Sequence, residues 1–211
     1  DNKKDFYYID RPYWGESRAT PYWMRCVKNQ HVKTFVDHRP DDRFKQQFKD
    51  PITPFHKNGS YVLVVPPSHA MAEMFDGKDW LDNTMKVLKD NTDREIIVRE
   101  KPYNPKAVID GEGKMVPGNS ANNKPPKPFE WDKVHAVVTF NSSISIKALI
   151  NGVPSFANFD NPCMPVCEQD FSKIEKPRYE DPRPVLHSLA YNQFTQEEFR
   201  SGYYMEILDG R

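Results

Sequence analysis

The middle of the chain is set by six runs of apolar positions. Tyr61-Val62-Leu63-Val64-Val65 is continuous and β-branched, the pattern of a strand covered on both faces. Ala70 to Asp90 carries Met74, Trp80, Leu81, Met85 and Leu88 in an amphipathic helical pattern. Asp76-Gly77 breaks it, and Asp79 or Gly77 starts the main helix. Ile96-Ile97-Val98 is the next strand, so this unit predicts a right-handed parallel crossover. The second unit, Trp131 to Phe159, is the one around which the chain is organised. Val134 to Phe140 reads as a buried strand, and Ile144, Ile146, Ala148, Leu149 and Ile150 as a buried helix. Gly152 stops that helix, and Val153-Pro154-Ser155-Phe156 begins another strand.

Between strand and helix stands Asn141-Ser142-Ser143. Asn141 or Ser142 can cap the helix, leaving N–H groups facing the carboxyl end of the strand. Such a terminus is either a prepared anion site or an ordinary capped helix without a ligand. Arg99 and Lys101, at the end of the Ile96–Val98 strand, suit phosphate or carboxylate groups in the crevice of an open α/β sheet, or form a solvated charge cluster. Ser68 and His69 leave the first strand on the same side.

The flanks differ in character. Phe6 to Ile9 predicts a strand ended by Asp10, and Met24–Val27 and His31–Val36 two more. Pro12, Gly15 and Pro21 break the rest. Residues 1 to 60 hold 12 Lys and Arg against 8 Asp and Glu. Their aromatics and arginines suit stacking on bases or sugars, but large aromatics more often serve packing, the reading preferred here. A short helix is expected over Asp41–Phe48. In the insertion at 103 to 130, Ala107–Ile109 and Met115–Val116 can pair as a hairpin, with the remainder a lid. Glu168–Ile174 is read as helical, and Thr195 with Glu198 as a capping box opening a terminal helix that Tyr203, Ile207 and Leu208 continue. The division expected is a small aromatic, basic lobe and linker over 1–58, a nucleotide-binding domain over 59–190 and a C-terminal helix over 191–211.

Composition narrows the classes. Thirty basic and thirty acidic side chains cancel, so no global field favours nucleic acid or membrane. Cys26, Cys163 and Cys167 are too few for a disulfide framework, which points to a reducing cytoplasm. Cys163 and Cys167 lack the other half of a zinc site, and no metal is expected. No run approaches the roughly 20 apolar residues of a membrane span, and no signal peptide is read. The sequence begins at Asp1 rather than Met, so residues upstream are expected.

Val62–Ser68, Val98–Pro102 and Phe140–Pro154, taken in order, resemble the nucleotide-binding half of GT-B glycosyltransferases, particularly the capsule-polysaccharide and sialyl/Kdo-transferase type. Asn141, Ser142, Ser143, Ala148, Leu149, Gly152 and Pro154 match that family's N-S-S-x-G-x-E-A-L-x-x-G-x-P pattern. The "YYID" opening and the terminal segment also resemble small glycosyltransferase-like proteins of tailed bacteriophages, which would place the chain in a host cytoplasm. The resemblance implies an α/β fold with a Rossmann-like parallel sheet and a small, reduced N-terminal lobe. It further implies transfer of a sugar from a nucleotide-activated donor to a glycan or a modified nucleobase. The donor nucleotide would be held by Ser68, Arg99, Lys101, Asn141, Ser142 and Ser143, with Asp10 as base and His69 as the second choice. Asp10 capping a turn is the structural alternative. No cofactor beyond the nucleotide-sugar is implied, and there is no DxD motif for a metal. Lys101-Pro102 stands where the family has His-Pro, Lys147 where it has the ribose-binding Glu, and Ser145 where it has Gly. These departures motivate a second reading, a non-catalytic nucleotide- or glycan-binding module. A third, a sugar-nucleotide epimerase or hydrolase, lacks a convincing set of acidic and histidine groups.

Overall fold

A computed structural model describes residues 4–14, 21–99, 107–109, 115–117 and 129–210, with backbone alone for 107–109 and 115–117. The fold is mixed α/β. Its centre is a parallel sheet of four strands, β3 (Tyr61–Val65), β4 (Glu95–Val98), β7 (Val134–Thr139) and β8 (Ser155–Ala157), in the spatial order β4-β3-β7-β8. A second sheet is antiparallel and joins β1 (Tyr7–Asp10), β2 (Trp23–Lys28) and β9 (Gln193–Thr195). The expected hairpin forms from β5 (Ala107–Ile109) and β6 (Met115–Pro117).

The parallel sheet has the continuous apolar strands of a two-sided core. All six residues of β7 and four of five in β3 are buried. Alternation sorts the side chains between the faces. Val62, Val64, Ala136, Val138 and Phe156 meet Trp80 and Leu88 of α3 (Trp80–Asn91), while Leu63, Val65, Val134 and Val137 meet Ala148 of α4 (Ile144–Ile150). The two crossover helices therefore cover opposite faces. That is the arrangement right-handed crossovers must give when the chain moves from β3 to one neighbour and then returns to the other. It is compatible with a Rossmann-like fold.

The α4 helix has a second contact surface. Ile146, Leu149 and Ile150 pack with Phe44 of α1 (Asp42–Gln47) and with Val185, Leu186 and Leu189 of α5 (Arg183–Ala190). A helix buried on two sides is apolar nearly all round, which explains why only Ser145 and the exposed Lys147 interrupt the apolar run in the sequence. Its end is fixed by Gly152, at φ 71°, where a Cβ would stand 2.2 Å from the carbonyl oxygen of Pro54. Only glycine suits both the left-handed backbone and that approach.

Several expectations on the flanks are corrected. His31–Val36 forms no strand, though Val32 and Lys33 are buried. The Glu168–Ile174 helix reduces to a 3-10 turn at Phe171–Lys173, started by Asp170 accepting from the Ser172 amide at 3.1 Å. The break at Asp76-Gly77, by contrast, is present: α2 spans His69–Met74, and Asp79 holds the N-cap position of α3 as expected, though without a side-chain capping bond. The terminal segment is strand β9 followed by two short helices, α6 (Gln196–Ser201) and α7 (Tyr203–Asp209), parted by Gly202 at φ 81°. Through β9 that segment shares one sheet with β1 and β2. The Thr195–Glu198 capping box is present. No helix among the described residues is long and apolar enough to cross a membrane.

Arg43 fastens the two ends together. Its guanidinium donates to the carbonyls of Gln193 (2.6 Å) and Ala190 (3.4 Å) and to both carboxylate oxygens of Glu198 (2.7 and 3.3 Å). The rings of Trp23, Tyr191, Phe194 and Tyr203 surround it at 5.2–5.9 Å. The mix of arginine and aromatics is here a packed core rather than a stacking surface. Removing Arg43 leaves buried acceptors and a carboxylate unpaired. Arg43→Ala is expected to cost about 3 kcal/mol in urea denaturation, whereas Lys45→Ala, which removes an exposed pair with Asp41, leaves the midpoint unchanged.

Candidate functional site

Where the sheet order reverses, between β3 and β7, the loops leaving the carboxyl ends of those strands diverge toward opposite faces. Ligands of open α/β sheets bind in such a crevice. One wall is Pro66–Ser68, leading into α2, and the other is Phe140–Ser143, leading into α4. The floor is closed by Thr139, which is fully buried. Its hydroxyl donates to the carbonyl of Val65 at 2.8 Å and accepts from the Ser142 amide at 3.3 Å. One side chain thus ties the ends of both strands to the Asn141–Ser143 loop. The Arg99 amide donates to the Val64 carbonyl at 2.8 Å, extending the β3–β4 ladder past the end of β4.

The Asn141–Ser143 loop is rigidly held from beneath. The carbonyl of Ser142 accepts from the Ser145 amide (3.3 Å) and from Asn161 Nδ2 (3.3 Å). The Ser145 hydroxyl has a single proton and two acceptors in reach, the Ser142 carbonyl at 3.0 Å and Asn161 Oδ1 at 2.9 Å. Asn161 Oδ1 also accepts from the Cys163 amide at 2.9 Å. Asn161 and Ser145 are both fully buried. Serine at 145, where the resemblance implies glycine, therefore has a structural partner. The amide of Ser143 has no acceptor among the described residues.

The anticipated caps are corrected. Ser143, not Asn141 or Ser142, takes the N-cap position of α4, and it makes no side-chain capping bond. The Ser142 hydroxyl accepts from the Ile144 amide at a long 3.4 Å. The cause is the convergence of bonds on the Ser142 carbonyl and amide, which keeps Ser142 outside the helix.

The other anticipated residues separate into groups. Asn141 and Ser142 are half-buried and Ser143 is exposed, all on one wall. Ser68 is half-buried at the start of α2 on the other. Arg99 is half-buried, its guanidinium carbon 3.9 Å from the centre of the Phe129 ring. Lys101 lies outside the described residues. Lys147 is exposed on α4. His69, the first residue of α2, has a side chain 63% exposed, with Nε2 3.6 Å from Glu73. Asp10 ends β1 with both carboxylate oxygens engaged: Oδ2 lies 2.7 Å from Arg25 Nη2, and Oδ1 accepts from the Arg11 amide at 2.7 Å.

A row of rings that periodicity could not reveal connects the two sheets. Tyr8 of β1 meets His31 with ring centres 4.6 Å apart, His31 meets Phe75 at 5.6 Å and Phe75 meets Phe159 at 5.1 Å. Phe159 stacks on Phe140 at 4.3 Å with the planes 6° apart. Phe75 follows α2, Phe159 follows β8 and Phe140 follows β7, so the row runs along the carboxyl-end side of the parallel sheet. Arg25, beside Asp10, also lies 5.7 Å from the centres of Tyr8 and Tyr13. Two cavities lie elsewhere. One is bounded by Lys89–Arg94 and Glu175, below the amino end of β4, and a small one by Lys33, Asp37, Arg39 and Tyr191. Cys163 and Cys167 are buried free thiols in the core beneath α4, and burial together with the adjacent Cys167 pushes the Cys163 thiol well up.

Comparison of the chain with protein-family models, curated proteins and solved structures returns no significant match. The site is therefore read from its own geometry. Asn161 is the residue on which the Asn141–Ser143 wall rests. Asn161→Ala is expected to cost about 2–3 kcal/mol, because it strips partners from buried polar groups. Ser143→Ala, exposed and without a capping bond, stays within about 0.5 kcal/mol. Urea denaturation of the two variants beside wild type checks the contrast.

Proposed function

We propose that the crevice between β3 and β7 holds the nucleotide of an activated sugar, and that the chain is a GT-B-like glycosyltransferase passing that sugar to a hydroxyl acceptor. The observation that carries this reading is the reversal of sheet order. It sets Ser68 on one wall and Asn141, Ser142 and Ser143 on the other, with Arg99 one strand away. The Ser143 amide, without an acceptor among the described residues, and the serine hydroxyls are suited to phosphate oxygens. The Arg99 guanidinium supplies positive charge, and Lys101 follows it in sequence. Positive charge beside a diphosphate stabilises the leaving group as its bond to the sugar lengthens. The α4 helix has only seven residues, so the loop groups rather than a helix dipole carry this role.

A second reading, a nucleotide- or glycan-binding module without catalysis, is favoured by one specific observation. The two carboxylate oxygens of Asp10 are occupied by Arg25 and by the backbone, and His69 sits on the solvent side of α2 near Glu73. Neither is a base waiting in the crevice. The two readings share the nucleotide and divide on turnover.

Calorimetry with CMP, UDP, GDP, ADP and dTDP tests the shared part. One of them is expected to bind wild type, and Arg99→Ala to weaken it by about 10- to 100-fold, the loss of one charge-assisted contact. Consumption of the matching nucleotide-sugar supports transfer, and binding without consumption supports the module. Failure of all five nucleotides to bind rejects the transferase and the nucleotide-binding module alike.

A further inference from the structure

The glycosyl-transfer reading leaves the acceptor hydroxyl without a base, and the six histidines differ sharply in fitness for that task. His135 is buried with Nε2 2.9 Å from the Ile174 carbonyl, and His56 has Nε2 2.9 Å from the Trp131 carbonyl. Both rings are held by backbone near the amino end of β7. His187, half-buried on α5, packs on Phe44 of α1 with ring centres 5.6 Å apart. His38 and His69 are exposed. His31 alone is half-buried in the row of rings on the carboxyl-end side of the sheet, and neither of its nitrogens bonds a described residue.

We propose that His31 is the general base, accepting the proton of an acceptor hydroxyl bound beside the row of rings. This rests on the glycosyl-transfer reading above. Tyr8 and Phe75 both pack against the imidazole, their planes at 62° and 50° to it, which restricts its orientation. From Phe75 the row continues through Phe159 to Phe140, the residue before Asn141, so the base and the phosphate-binding wall belong to one packed unit. Half-exposed aromatic faces along the row suit the apolar face of a sugar ring. The charges facing His31 are Arg25 and Asp10 from the small sheet and Asp160 from the segment after β8. Burial and Arg25 hold the imidazole below its usual range, while Asp10 and Asp160 pull it upward. The net result is a neutral ring at pH 7, the form a base requires. The Asp carboxylates then stabilise the imidazolium once it forms. In the transfer step the acceptor oxygen forms a bond to the anomeric carbon, and its proton passes to His31. The bond from that carbon to the phosphate oxygen breaks, and the nucleotide leaves with the electron pair.

The test uses the full chain with UDP-glucose, UDP-N-acetylglucosamine, GDP-mannose, dTDP-glucose and CMP-sialic acid. Octyl β-galactoside, octyl β-glucoside and water serve as acceptors, and nucleotide release is the signal. Wild type is expected to show kcat/KM that is level near pH 7 and falls only at pH below the ordinary imidazole range, as the ring protonates. His31→Gln is expected to lower kcat by about 10²- to 10⁴-fold and to abolish the acid limb, with nucleotide affinity within twofold of wild type. His31→Phe keeps the ring packing and serves if the Gln variant does not fold, with the same loss expected. If either folded variant keeps kcat within threefold and retains the acid limb, His31 is not the base although the transferase reading stands. Wild type that binds nucleotide but turns over no nucleotide-sugar overturns the transferase reading, and the assignment of His31 falls with it.

Discussion

The arrangement depends on one constraint, the handedness of parallel crossovers. Strand β3 has β4 on one side and β7 on the other, so the two crossovers from the centre run in opposite directions. If each is right-handed, α3 and α4 must lie on opposite faces. The loops into α2 and α4 are then forced apart at the carboxyl ends of adjacent strands. Strand pairing alone would not keep that opening regular, because it ends where the loops begin. Thr139 continues it by one side chain, joining the end of β3 to the Asn141–Ser143 loop. Asn161 supports the same loop from the segment that follows β8. The opening is thus built from backbone geometry and braced by two buried polar side chains whose principal bonds are all internal.

The small sheet obeys a different logic. Three short strands cannot bury much surface, and a sheet of that size has little independent stability. Arg43 supplies the missing cohesion by linking α1, the end of α5, β9 and α6 through one guanidinium. Its charge is offset by Glu198, which also completes the capping box of α6. The chain ends are therefore mutually dependent. That dependence matters for function, because Tyr8 and Asp10 on β1 and His31 after β2 are brought to the crevice side by this sheet.

The parallel sheet was legible in the sequence because its signal is local. Val62–Val65 and Val134–Val138 are apolar runs bounded by turns, and Ile144–Ile150 is a buried helix ended by a glycine. The terminal pairing was not legible. Gln193-Phe194-Thr195 is three residues long and pairs with a strand more than 160 positions away, so neither alternation nor length marks it. The walls of the crevice were partly legible, since Ser68, Arg99 and Asn141–Ser143 follow strand ends directly. The bracing was not, because Asn161 has no periodic signature and matters only through where the turn after β8 places it. Asp10 ends a strand, as the sequence indicates, but that Arg25 from the paired strand occupies its carboxylate emerges only from the pairing of β1 with β2. His31 stood in a segment read as a strand, and its setting arises from rings at positions 8 and 75.

Amide hydrogen exchange, followed by mass spectrometry with and without a saturating nucleotide, tests most directly whether this opening is the nucleotide site. The account predicts slower exchange in peptides covering Asn141–Ile146 and the segment after β3, with the peptides around Lys89–Arg94 unchanged. Protection at the Lys89–Arg94 cavity instead, or none at the Asn141–Ser143 wall, would contradict it.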